Sequence, residues 1–195
     1  MRLVVFAVFL VLLPTAAVVA FGPCPSGGEV VERRTAFGFT PGARIPDTFD
    51  VACLDEGCRA TWCAKRVDGE LLKHGRFTSR YANGGRYFEG HYLEGRRHGH
   101  WKAWFQNGRT SYTGQWRHGR RIGRWRLFHL DGTLSAEETY RRGQLHGRRT
   151  HYFFRGGGKS FEGYYEHGRI VGQHRYWNRD GTRDTDREIG SSVIQ

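Results

Sequence analysis

The sequence predicts an all-β protein: an elongated, single-layer antiparallel meander of about five stacked β-hairpin repeats, preceded by a Cys-rich N-terminal segment. Three observations carry this prediction. Beyond Ala20 the chain holds 26 Phe, Tyr and Trp but only 19 Ile, Leu and Val, a bias toward residues that suit pleated, half-buried strands. Gly75, Gly99, Gly123 and Gly147 recur every 24 residues and Gly172 follows after 25, which marks a repeat array. No Pro occurs after Pro46, so nothing removes a donor from the strands that the repeats would form. With 195 residues the chain fits one domain or a short array, and a large multidomain enzyme is excluded.

Residues 1–20 read as a cleavable secretory signal. Arg2 precedes an apolar run over residues 3–13, Pro14 follows, and small residues lead to a cleavage site after Ala20. The alternative is an uncleaved N-terminal anchor, since the apolar stretch nearly spans a bilayer. Residues 21–67 form the Cys-rich segment. Cys24, Cys53, Cys58 and Cys63 are an even number in an exported chain, so two disulfides are expected, with three connectivities open. A four-thiolate zinc site lacks the paired two-Cys spacing of structural zinc. Lipidation of Cys24 is disfavoured by Pro23 just before it.

Residues 68–183 are the repeats. Nine residues after each first glycine comes a second, Gly84, Gly108, Gly132, Gly156 and Gly181, preceded in four of five cases by Asn or Asp. Asn-Gly and Asp-Gly predict two-residue type I′ hairpin turns. A third set, Gly95, Gly119, Gly143 and Gly168, marks the turn into the next hairpin. Cross-strand partners then have offsets from the first glycine that sum to 17. The rule places Phe77 opposite Gly90, Gly75 opposite Tyr92, Trp101 opposite Gly114, Gly99 opposite Trp116 and Ala103 opposite Tyr112. Large faces small each time, and Leu127 opposite Ala136 inverts the sizes while conserving volume. Two exceptions, Glu138 opposite Trp125 and Arg149 opposite Gly163, predict weaker hairpins. Residues 184–195 remain as a polar tail.

Because side chains alternate along a strand, Phe77, Tyr92, Trp101, Tyr112, Trp116 and Trp125 fall on one face. The opposite face carries Arg76, Lys102, Arg124, Arg126 and Arg148, the candidate binding residues, with an Arg126–Glu137 pair predicted among them. From His74 to Arg183 there are 22 Lys+Arg against 8 Asp+Glu, a balance of +14. Most of the basic residues are Arg, whose planar fork matches carboxylate and phosphate.

The pattern of His98-Gly99-His100-Trp101-Lys102-Ala103-Trp104-Phe105-Gln106-Asn107-Gly108-Arg109, then Gly114-Gln115-Trp116-Arg117-His118-Gly119, resembles the MORN repeat. More narrowly it resembles the bacterial variant found in antitoxin-like proteins, and the resemblance covers about residues 68–183. It implies stacked β-hairpins and roles in protein binding, scaffolding or attachment to acidic lipids, without catalytic residues. The antitoxin label would imply a cytoplasmic protein partner, whereas the N-terminus points to export.

No catalytic set stands out. Asp131 and Asp180 occupy turns, and Ser111, Ser135 and Ser160 recur at one strand offset with no acid-His pair near them. His98 and His100 share a strand face, but equivalent His residues two strands apart are separated by about 10 Å, too far to share an ion. The expectation is therefore an exported, non-enzymatic binding or scaffold protein, secreted or periplasmic, without cofactor, metal or small-molecule substrate. Its partner would be an anionic envelope lipid, a glycan or an acidic protein, with peripheral membrane contact and no nucleic acid. The alternative is an antitoxin-like regulator that binds a protein in the cytoplasm.

Overall fold

The computed structural model describes Cys24, the backbone of residues 29–35, residues 58–155 (Cys58 by its backbone alone) and residues 157–187. The signal segment predicted over residues 1–20, Cys53, the Cys58 side chain and the tail beyond residue 187 lie outside the described residues.

Among the described residues, eleven strands form one antiparallel sheet whose spatial order is the order of the sequence. They are β1 (Glu29–Thr35), β2 (Cys58–Val67), β3 (Glu70–Arg80), β4 (Arg86–Leu93), β5 (Arg96–Trp104), β6 (Thr110–Arg117), β7 (Arg120–Phe128), β8 (Leu134–Arg141), β9 (Gln144–Tyr152), β10 (Lys159–Glu166) and β11 (Arg169–Tyr176). Four hairpins, β3–β4 to β9–β10, are complete repeats. The fifth consists of β11 and one returning bridge, Trp177 to Arg183, among the described residues. The Cys-rich segment extends the sheet, with β2 on β3 and β1 on β2.

The sum rule holds along the array. Phe77 pairs with Gly90 and Gly75 with Tyr92; Trp101 pairs with Gly114, Gly99 with Trp116 and Ala103 with Tyr112; Leu127 pairs with Ala136. The turns that produce this register are, however, the reverse of those predicted. At the first hairpin the Gly84 N–H donates to the Tyr81 carbonyl at 2.9 Å and the Tyr81 N–H to Gly85 at 2.8 Å. The loop therefore has three residues, and of these only Gly84 has positive φ, at 83°. This is a type I turn closed by a glycine bulge; it sets Tyr81 against Gly85, one residue out of the sum rule, and a second bulge between Ser79 and Arg80 restores the register that a two-residue turn would have given. Asn83 is favoured for a different reason: its Oδ1 accepts the Gly85 N–H at 2.9 Å. Asn107, Asp131 and Asp180 accept in the same way from Arg109, Thr133 and Thr182, the local hydrogen bond that Asn and Asp offer a turn.

The two-residue turns with both residues at positive φ lie instead between repeats. They are Asp68-Gly69, Glu94-Gly95, His118-Gly119, Arg142-Gly143 and His167-Gly168. Four of them also stitch one hairpin to the one before. The N–H of Gly95, Gly119, Gly143 and Gly168 donates to the carbonyl of Lys73, Arg97, Arg121 and Leu145 respectively, at 2.8 to 2.9 Å.

The core is the aromatic face. Phe77, Tyr92, Trp101, Tyr112, Trp116 and Trp125 are all buried. Trp101 stacks on Phe77 with ring centroids 5.6 Å apart, and Trp125 meets Trp116 edge-on at 5.4 Å. The second and third repeats start with a bulge in which residues 99–101, or 123–125, oppose a single glycine of the preceding strand, Gly90 or Gly114. That bulge lays Trp101 over Gly90 and Trp125 over Gly114; a Cβ on either glycine would lie 2.2 Å from the indole. The nesting partner of each Trp is thus in the previous hairpin, not the residue opposite it in its own, which is Gly114 for Trp101 and Glu138 for Trp125.

Guanidinium groups do not all point away from this face. Arg97, only 7% exposed, lies between Trp101 and Trp116 at 5.0 and 4.9 Å from their rings. Arg121 sits between Trp116, Trp125 and Tyr140, and Lys73 covers Trp62, Phe77 and Tyr92. These cations stand two residues before the first glycine of their repeats and fill the gaps between rings by cation–π contact.

The two exceptions to the size rule are partners of each other. Glu138 and Arg149 pair across β8 and β9, with Arg149 Nε donating to Glu138 at 3.0 Å and the Tyr140 hydroxyl donating to it at 2.7 Å. The ion pair stands where the neighbouring repeats place a glycine under a Trp. At the N-terminal end Cys24 and Cys63 are joined by a disulfide, Cα to Cα 5.7 Å, and the Cys63 Cβ lies 3.3 Å from where a Cβ on Gly75 would stand.

Candidate functional site

The opposite face is built from odd offsets of the repeat, so each first strand contributes a cation where its neighbour two strands away does the same. Arg76 on β3, Lys102 on β5, and Arg124 and Arg126 on β7 are all exposed and line a single open trough of about 890 Å³. Its floor includes three glycines from consecutive strands, Gly90, Gly99 and Gly114, and His91, His100, Thr113 and Gln115 supply polar walls. Gly90 and Gly114 face the aromatic side, where a Cβ would meet Trp101 and Trp125, so the trough sees only their backbone.

Charge is unevenly compensated there. Arg76 has no carboxylate partner among the described residues. Lys102 lies opposite Glu89 on one side and Thr113 on the other, and its Nζ stands 5.1 Å from the Trp104 ring. Arg124 and Arg126 share one carboxylate, Glu137, at 2.7 and 3.2 Å. Partial burial pushes the Glu137 carboxyl up, but the hydrogen bonds and charge of the two Arg residues outweigh it and hold the group below its ordinary value. One acid thus fixes two guanidinium groups side by side without cancelling both. His100 and Gln115 are hydrogen-bonded through their side-chain nitrogens at 2.9 Å.

Four of the five predicted basic residues therefore converge, together with the predicted Arg126–Glu137 pair. The fifth, Arg148, lies on β9 outside the trough, 3.6 Å from Glu162, which Lys159 also engages at 2.6 Å. The aromatic residues do not border the trough except for Trp101 from beneath. His98 does not join His100: its ring meets His118 at a 5.2 Å centroid distance. No group of three or more metal-ligating side chains is gathered among the described residues. Sequence reasoning named the cations but not the depression. No residue type signals it, because it lies where residues 99–101 oppose the single residue Gly90.

The face can hold a multiply charged anion at several points, with planar Arg forks for carboxylate or phosphate oxygens. A comparison of the chain with protein-family models and with curated proteins finds no match in either.

Proposed function

We propose that this protein is an exported, non-catalytic binding module of the MORN-repeat type, whose trough on the basic sheet face holds an anionic component of the cell envelope. The observation that carries the reading is the convergence of Arg76, Lys102, Arg124 and Arg126 from three successive hairpins around one depression. The +14 balance of the repeats supplies a long-range field that raises the encounter rate with anions. The Cys24–Cys63 disulfide fits an oxidising compartment, and the apolar run over residues 3–13 fits an export signal.

The test is equilibrium binding of the mature chain to phosphatidylglycerol vesicles and to a soluble polyuronate, each at low and at high salt. Affinity for at least one should fall steeply as the Debye length shortens from about 30 Å at 0.01 M to about 8 Å at 0.15 M. A variant combining Arg76→Ala, Lys102→Ala and Arg126→Ala should bind about tenfold or more weakly, a loss of about 1.4 kcal/mol or more. Salt-independent binding, or binding that the triple variant retains, overturns the trough as the site.

A further inference from the structure

Among the described residues, β11 is the one first strand of a repeat with no strand paired along its outer edge. β3, β5, β7 and β9 are each paired on both sides. Beyond its pairing with β10, the described backbone bonds to β11 at its end, through the Trp177–Arg183 bridge and the Asp184 N–H donating to the Tyr176 carbonyl at 2.9 Å. The chain then turns away in a short helical segment at residues 185–187, where Arg187 lies over the Tyr176 ring. Along residues 169–175 no further strand follows among the described residues. The Ile170 carbonyl occupies the repeat position at which Lys73, Arg97, Arg121 and Leu145 each accept a turn N–H from the next repeat, and Ile170 itself is 40% exposed. An edge of unpaired N–H and C=O groups is a template for another strand.

We propose that the outer edge of β11 takes up an extended acidic segment of a partner protein as a twelfth, antiparallel strand, in the register by which β7 holds β8. β11 repeats the β7 pattern: Gly172, His174, Arg175 and Tyr176 stand where β7 has Gly123, Trp125, Arg126 and Leu127. On β7 those residues meet Tyr140, Glu138, Glu137 and Ala136. The same register on β11 sets an aromatic over Gly172, where a Cβ would meet nothing within 4 Å, acids opposite His174 and Arg175, and a small residue opposite Tyr176. Opposite charges at directly facing positions favour such pairing, and like charges oppose it. A second copy of β11 would bring Arg169, His174 and Arg175 to an edge already carrying the same three residues, so the fitting occupant is acidic. Main-chain hydrogen bonds would give the affinity and alternate side chains the selectivity.

The probe is a capped synthetic octapeptide with the β8 sequence, residues 134–141, added to the full chain and followed by amide hydrogen exchange. In the free protein the β11 amides not bonded to β10 should exchange readily, and saturating peptide should slow them about tenfold or more. A scrambled peptide of equal composition, and one N-methylated at alternate amides, should not. Arg175→Glu should weaken the peptide about tenfold and leave anionic vesicle binding intact, because Arg175 is not part of the trough. Protection of those amides before any peptide is added overturns the proposal; independence of protein concentration would then assign the edge to the chain's own tail, and dependence on it to a second copy. Equal binding of the scrambled peptide also overturns it, in favour of charge attraction alone.

Discussion

Two glycines of the repeat separate steric from backbone demands. Gly90→Ala places a Cβ 2.2 Å from the Trp101 ring, so the indole must move or the strands must part, at a cost of about 1–3 kcal/mol. Gly99→Ala meets nothing within 4 Å but must hold φ near 71°, a left-handed strain of about 1–2 kcal/mol. Both variants should melt earlier in a thermal scan, but only Gly90→Ala should also shift the tryptophan emission. A second residue-scale expectation concerns acid. Burial alone would raise the Glu138 carboxyl; His151 at 3.8 Å, the Tyr140 hydroxyl at 2.7 Å and the Arg149 guanidinium at 3.0 Å reverse that and bring it to about 2. Its folded value thus lies below the unfolded one of 4.5, so the stabilisation is complete above pH 4.5 and fades as pH falls toward 2. The contribution is on the order of 3 kcal/mol, and Glu138→Gln should flatten stability against pH in that window when measured by urea titration. Lys73, Arg97 and Arg121 mark where residue reading stopped short. Their even offsets from the repeat glycine put them on the aromatic face by the same parity that placed the rings, but a cation wedged between indoles breaks the rule that charge faces water.

At the scale of strands and turns, the Glu138–Arg149 pair replaces the glycine-under-Trp contact that Gly90–Trp101 and Gly114–Trp125 make. Glu138→Gly alone leaves Arg149 half-buried without its acid, and Arg149→Trp alone drives an indole into a carboxylate. Each should destabilise by about 3 kcal/mol or more, the usual cost of breaking a buried ion pair. The double variant restores the neighbouring repeats' geometry and should recover most of that loss, so that the coupling in a double-mutant cycle is at least as large as either single loss. Independent losses that simply add would contradict the equivalence of the two contacts. The pairing register was legible in the sequence because side-chain alternation and size complementarity are local to a hairpin. Turn type was not. Asn-Gly satisfies both a type I′ turn and the end of a type I turn with a glycine bulge, and only the preceding residue's φ separates them. Nor was the partner of Glu138 legible while pairs were counted inside hairpins, since it lies on the next one.

Over the whole molecule, the described hairpins pair in sequence order, each with those before and after it, so stability should be close to a sum over repeats and their junctions. Excising one period, residues 99–122, joins His98 to Gly123 in phase. The shortened chain should keep its far-ultraviolet β signature and melt at a lower temperature. It should also lose Lys102 with the middle of the trough, binding phosphatidylglycerol vesicles about tenfold more weakly. An unfolded product would mean that the repeats are not interchangeable units. The basic face was legible as a row of cations; the depression among them was not, because it depends on bulges that shift three residues against one. The sequential strand order also sets how the molecule bears load. Tension applied at its two ends would open hydrogen bonds a row at a time, like a zip, instead of shearing whole strands together. The covalent clasp between Cys24 and Cys63 closes one end, so peeling would begin at β11 and proceed hairpin by hairpin. Such a chain yields gradually and rewinds when released, as an extensible tether does.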